Sequence, residues 1–171
     1  MYSDVQPFVT HATKDDYAQQ YAHYRTLLFD LLDSPVKSTQ HIGGTQHFNY
    51  PTEPILDILV GVDNLHDITS LDEKRLNYAG FYRLHHTYHK KVMMARFNNL
   101  SDLKQQVRLH ILQRNTDLFD HYVALDHLLT TSPDAIAFFA QQKQALLTSS
   151  QTIRDYEIGK QQLFTQLGKM L

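Results

Sequence analysis

Apolar side chains recur along this chain with two different periods, and the switches between them divide it into elements. Across residues 14–32, Tyr17, Tyr21, Tyr24, Leu28, Leu31 and Leu32 fall three or four residues apart for most of the run. That spacing lines up one face of an α-helix, with Thr13 or Asp15 available as a cap. Pro35 closes the pattern, and residues 36–42 read as a short strand running into Gly43-Gly44, where the backbone can turn tightly or approach a ligand closely. After a loop holding Pro51 and Pro54, residues 55–62 are an almost unbroken run of branched apolar side chains, which predicts a strand covered on both faces. Asp57 is the polar exception within it. Asp63 is placed to cap a helix reaching about Tyr78, with Gly80 as its stop.

Residues 81–84, 91–97 and 106–112 are candidate strands, the last two joined by turn chemistry at Asn98-Asn99 and Ser101-Asp102, and together they predict a meander beside the Asp57 strand. From Asn115 onward the period is helical. Leu118, Tyr122, Leu125 and Leu129 make one face, Pro133-Asp134 starts a second helix at its first turn, and residues 153–171 supply a third. The expected class is α+β: a mixed sheet with flanking helices and a helical C-terminal third. No repeat, low-complexity tract or linker interrupts the sequence, so residues 1–171 are expected to form a single domain.

Composition narrows the chemistry. Lys plus Arg (16) nearly balance Asp plus Glu (18), so no overall field draws in nucleic acid or an anionic membrane, and any anion site must be local. The absence of cysteine excludes disulfides, thiolate metal sites and thiol nucleophiles. Met1-Tyr2-Ser3-Asp4 does not read as a secretion signal, and residues 55–62 are far too few to span a bilayer, so a cytoplasmic location without membrane attachment is expected.

The most specific chemical pattern is Gln40-His41-Ile42-Gly43-Gly44-Thr45 followed by Pro54-Ile55-Leu56-Asp57-Ile58. Glycines at a strand end let backbone N–H groups approach phosphate oxygens, and a carboxylate on a neighbouring strand can hold the Mg²⁺ that neutralises them. Taken singly, the glycine pair also fits a plain turn, and a lone strand Asp also fits a structural hydrogen bond.

Read together, these two segments resemble the GrpB proteins, a group related to nucleotidyltransferases and also found joined to dephospho-CoA kinase. His41-Ile42-Gly43-Gly44-Thr45 matches a His-Ile-Gly-Ser-Thr motif, and Pro54-Ile55-Leu56-Asp57-Ile58 a Pro-Ile-Ile-Asp-Ile strand. Downstream, Leu109-His110 looks like the end of a His-Leu-His strand and Asp126 falls in a Phe-Arg-Asp-Tyr-Leu helix. Pro133, Phe139 and Lys143 look like the family's Pro, Tyr and Lys, and Tyr156 with Lys160 repeats its Tyr-x-x-x-Lys spacing. The departures are Gly44 for Ser, Arg108 for the first His, and Leu125 for the helix Arg.

The resemblance implies a nucleotidyltransferase-like fold that binds a nucleotide or another phosphate-bearing small molecule. In that reading the ligand rests against His41, Gly43, Gly44 and Thr45, with Arg108, Lys143 and Lys160 as anion contacts. Asp57 and His110 would carry any catalysis, and Asp57 would be the ligand of a Mg²⁺ ion. If active, the protein would be a metal-dependent nucleotidyltransferase. Such enzymes use two or three carboxylates to hold two metals, whereas Leu59 stands two residues beyond Asp57 and the later strand offers Arg108 and His110 but no acid. The alternative implied by the resemblance is an interaction module that assists a protein partner such as a CoA-biosynthesis kinase.

Other features read plainly. His85, His86 and His89 fit a solvated loop, Met93-Met94 a strand core, and Lys90-Lys91 is too short for a nucleic-acid surface.

Overall fold

The computed structural model describes residues 17–31, 34–47, 53–65, 70–84, 90–98, 104–149 and 153–169. The chain begins with α1 (Tyr17–Asp30), β1 (Val36–Ile42), the single turn α2 (Gly44–His47), β2 (Leu56–Val62) and α3 (Ser70–Tyr78). It continues through β3 (Tyr82–Arg83), β4 (Val92–Phe97) and β5 (Gln105–Gln113) and ends in α4 (Asp117–Thr131), α5 (Pro133–Ser149) and α6 (Ile153–Gly168). The five strands form one sheet in the order β1-β2-β5-β4-β3. Among the described strands the β2–β5 pair is parallel and the other three pairings are antiparallel. This is the expected mixed sheet with a helical C-terminal third.

Strand alternation assigns each face its role. From β2, Leu56, Ile58, Val60 and Val62 point to one side, joined by Val107, Leu109 and Ile111 of β5 and by Val92 and Met94 of β4. Tyr17 and Leu28 of α1 and Leu76 of α3 cover this face and complete the main core. The intervening residues, Asp57, Leu59, Met93, Arg108, His110 and Leu112, face the other way. Toward one end, Leu59, Leu112 and Ile42 pack with Leu118, Phe119 and Tyr122 of α4. Leu125 and Leu129 of α4, Ala135 and Phe139 of α5, and Leu163 and Leu167 of α6 form a separate apolar cluster that holds the three helices together.

Local signals explain most boundaries. Gly80, at φ +99°, follows α3 and lets Phe81 N–H reach back to the Leu76 carbonyl at 2.9 Å, closing the helix. Phe81 is thereby fully buried, and the third strand shortens to Tyr82–Arg83. Thr116 caps α4 by accepting from Phe119 N–H at 3.3 Å. Ser132 ends α4 through its N–H to Leu128, and its hydroxyl accepts from Ala135 N–H in the first turn of α5, which Pro133 opens as expected. The Asp63 carboxylate accepts from the Arg114 guanidinium; α3 is described from Ser70, and residues 66–69, where the helix expected after Asp63 would begin, lie outside the described residues. Residues 13–16, 32, 51, 85–89, 99 and 101–102, to which caps, turns and the histidine group were assigned, lie outside the described residues.

Candidate functional site

The second sheet face carries the polar residues, and parallel register explains why they meet. Asp57 on β2 lies beside Arg108 on β5, and Leu59 lies beside His110. His110 leans along the strand so that its Nε2–H donates to Asp57 Oδ1 at 2.9 Å. The other carboxylate oxygen faces Gly43, where a β-carbon would come within 3.1 Å of Asp57 Oδ2. Gly43 also has φ +80°. The first glycine of the pair is therefore required twice, by a left-handed backbone and by the approach of the acid. Its N–H donates to Asp126 Oδ1 of α4 at 3.0 Å, tying the glycine turn to the helical part of the molecule.

Around this centre lies a cleft of about 230 Å³ between the sheet and α4, α5 and α6. Its polar lining includes Asp57, Arg108, His110, Asp126, Lys143 and Lys160. Lys91 lies at another wall, where its Nζ donates to Tyr122 Oη at 2.7 Å, and the Tyr122 ring sits 5.8 Å from that of His110. Arg108 is buried and its Nε donates to Gln105 Oε1 at 2.9 Å. Lys143 is only 3% exposed, with its ammonium 5.6 Å from the centre of the Phe139 ring.

The charges in this cleft shift one another. Burial opposes ionisation of Asp57, but the His110 hydrogen bond and the positive charges of His110, Arg108 and Lys160 outweigh it and hold the carboxyl well below the ordinary carboxylate range. Burial pushes the His110 imidazole down, the Asp57 carboxylate pulls it up, and Lys91 and Arg108 push it down again, with a net lowering. With Asp57 held as the carboxylate, it is the acceptor of the pair and His110 Nε2–H the donor. His110 Nδ1 is buried and makes no hydrogen bond. Burial drives the Lys143 ammonium down to about 7, with Lys160 and Arg108 adding to the effect while Glu53 and Asp57 oppose it. Burial raises Asp126, and the Gly43 N–H only partly offsets that.

Of the residues expected at a ligand site, Gly43, Gly44, Asp57, Arg108, His110, Lys143 and Lys160 line this cleft together. His41 and Thr45 are not among its lining residues. Ile42 lines the cleft, so strand alternation turns the preceding His41 to the opposite side, where its ring stacks on Tyr21 at 5.5 Å. The Thr45 hydroxyl, 3% exposed, donates to the Ile55 carbonyl at 3.3 Å and lies 3.0 Å from His41 Nε2. These two residues brace the turn instead of facing the cleft.

Lys91, Tyr122, Asp126 and Glu53 were not assigned to the site from sequence. Lys91 is two residues from Met93 and shares its face of the sheet; Tyr122 and Asp126 are four apart on α4, with Leu129 one turn further. Glu53 is buried and close enough to Lys143 to favour its charged form. The side chain of Tyr156 lies outside the described residues.

With this geometry in place, the chain can be compared with known proteins. The family model described as GrpB protein matches residues 8–169. The chain belongs to the GrpB family. It is 29% identical to the glutamate-rich protein GrpB of Alkalihalophilus pseudofirmus over 126 residues, spanning 73% of this chain and 71% of that protein. The crystal structure of conserved protein GrpB from Enterococcus faecalis matches with a TM-score of 0.74 at 18% identity, covering 95% of this chain and 98% of that one. The GrpB fold is thus shared over nearly the whole length of both. A poly(U) polymerase, Cid1, matches at a TM-score of 0.45 and 18% identity, over 78% of this chain and 45% of that one. Among the described residues no helix is long and apolar enough to cross a membrane.

The GrpB cleft does not fit the Mg²⁺ that the resemblance implied. Mg²⁺ requires near-octahedral oxygen ligands and is normally anchored by one or two carboxylates together with waters and substrate phosphates, in surroundings that are not already rich in positive charge. Here Asp57 Oδ1 accepts from His110, Asp126 Oδ1 accepts from Gly43, and Arg108, Lys143 and Lys160 line the same cleft. Among the described residues no group of three or more His, Cys, Asp or Glu is arranged to hold a metal ion. The donor set therefore offers a divalent cation poor ligands and like-charged neighbours.

Proposed function

We propose that this cleft binds a phosphate-bearing small molecule, of the nucleotide class or chemically related to it, with Lys143, Lys160 and Arg108 as anion contacts and the Asp57–His110 pair at its floor. The observation that carries this reading is the convergence of three cations, Arg108 from β5, Lys143 from α5 and Lys160 from α6, on the lining of one cleft, a local concentration of positive charge that favours an anionic ligand. The Gly43 turn and the apolar walls from α4, α5 and α6 fit the usual make-up of a small-molecule site, a few convergent polar groups in an otherwise hydrophobic cavity.

The test is thermal unfolding of the full chain with ATP, ADP, pyrophosphate and inorganic phosphate, each with and without Mg²⁺. A ligand that binds only the native state stabilises it by about 2.7 kcal/mol at a hundredfold excess over Kd. At roughly 2–4 °C per kcal/mol for a chain of this size, the expected rise in Tm is several degrees. No rise with any of them, together with a specific protein recovered on the immobilised chain, would favour the interaction-module reading.

A further inference from the structure

We propose that the ligand of this cleft is a compact phosphate monoester with an apolar body, bound without a divalent cation. This rests on the phosphate-binding reading above and names the ligand class within it. Two independent features point the same way.

The first is the source of countercharge. In sites that take a metal–phosphate complex, protein carboxylates hold the metal and the metal neutralises the phosphate. In this cleft the two lining carboxylates each accept an internal hydrogen bond, and they are outnumbered by positive side chains from three elements: Arg108 on β5, Lys143 on α5 and Lys160 on α6. A phosphate dianion is neutralised by these groups directly, and an added Mg²⁺ would compete with them.

The second is shape and polarity. Leu125, Leu129, Phe139 and Phe164 add apolar lining to the same cleft, with Phe139 and Phe164 one helical turn from Lys143 and Lys160. The volume of about 230 Å³ is below the range of about 300–1,000 Å³ typical of sites for drug-sized ligands. It suits a phosphate carrying a single ring or a short carbon chain and is tight for a nucleoside triphosphate with its hydrated metal.

Isothermal titration of the full chain with phenyl phosphate, inorganic phosphate and ATP, each in EDTA and in MgCl2, tests this. Phenyl phosphate is expected to bind in EDTA with a Kd that Mg²⁺ changes by less than about twofold. It is also expected to bind about tenfold more tightly than inorganic phosphate, since its ring is buried against the apolar lining. Binding that appears only with Mg²⁺, or ATP–Mg²⁺ binding more tightly than phenyl phosphate, would overturn the proposal while leaving phosphate binding itself in place. No heat from any compound in either buffer would overturn both.

Discussion

Replacing Lys143 with methionine is expected to remove phosphate binding and, in the same protein, to increase the stability of the unliganded fold. The two effects share one cause. In the folded state the ammonium is lowered from 10.5 to about 7, first by burial and then by Lys160 and Arg108, with Glu53 and Asp57 opposing. The unfolded chain therefore holds one more proton than the folded chain between those pH values, and stability rises with pH across that window. Urea unfolding of the wild type should show this rise between pH 7 and 9, and Lys143→Met should flatten it and lie above the wild type at pH 7. Anion binding requires the charged amine, so wild-type affinity should fall as pH increases beyond 7, by up to about tenfold per unit. Equal destabilisation of the variant at both pH values, with phosphate binding retained, would remove Lys143 from the account.

Asp57→Ala is expected to be the most damaging single change in the cleft. It leaves Arg108 and Lys160 without their central counter-charge and takes away the hydrogen-bond partner that fixes His110. Removing one member of a buried charged pair typically costs about 3–5 kcal/mol. Because the Asp57 side chain keeps 17% exposure, the lower end, about 3 kcal/mol, is expected in denaturant titration. The sign with pH is opposite to that of Lys143. A carboxyl whose folded pKa is depressed contributes its stability above the unfolded value, and that contribution is lost as pH falls from there toward the folded one. Asp57→Asn, which keeps the shape, should therefore weaken the acid dependence of unfolding below about pH 4. An unchanged acid limb in Asp57→Asn would mean that the carboxylate is not held by its neighbours.

Much of the fold was legible because it is written in local periods. The strand patterns along residues 106–112 and 91–97, the apolar run around Asp57, and the proline signal at 133 each correspond to an element whose geometry depends on nearby residues. The grouping of Asp57, Arg108, His110, Lys143 and Lys160 was also anticipated, partly from strand alternation and partly from the family resemblance. The contacts that were missed join distant parts of the chain. Nothing local indicates that Gly43 N–H meets a carboxylate 83 residues later, or that Glu53 tucks in near Lys143. His41 and Thr45 misled for the opposite reason. They are neighbours of the glycines in sequence, but alternation along β1 carries His41 to the other face and Thr45 folds back onto the Ile55 carbonyl. Adjacency to a glycine turn says little about which side of a strand a residue occupies.

The central claim, that the cations of β5, α5 and α6 converge to hold an anionic head group beside Asp57 and His110, is tested most directly by a crystal structure of the chain soaked with phenyl phosphate. The account predicts the phosphate within hydrogen-bonding distance of Lys143 and Lys160, with the ring against Phe139 and Leu129. A cleft closed by side chains, with phosphate bound only elsewhere on the surface, would contradict it.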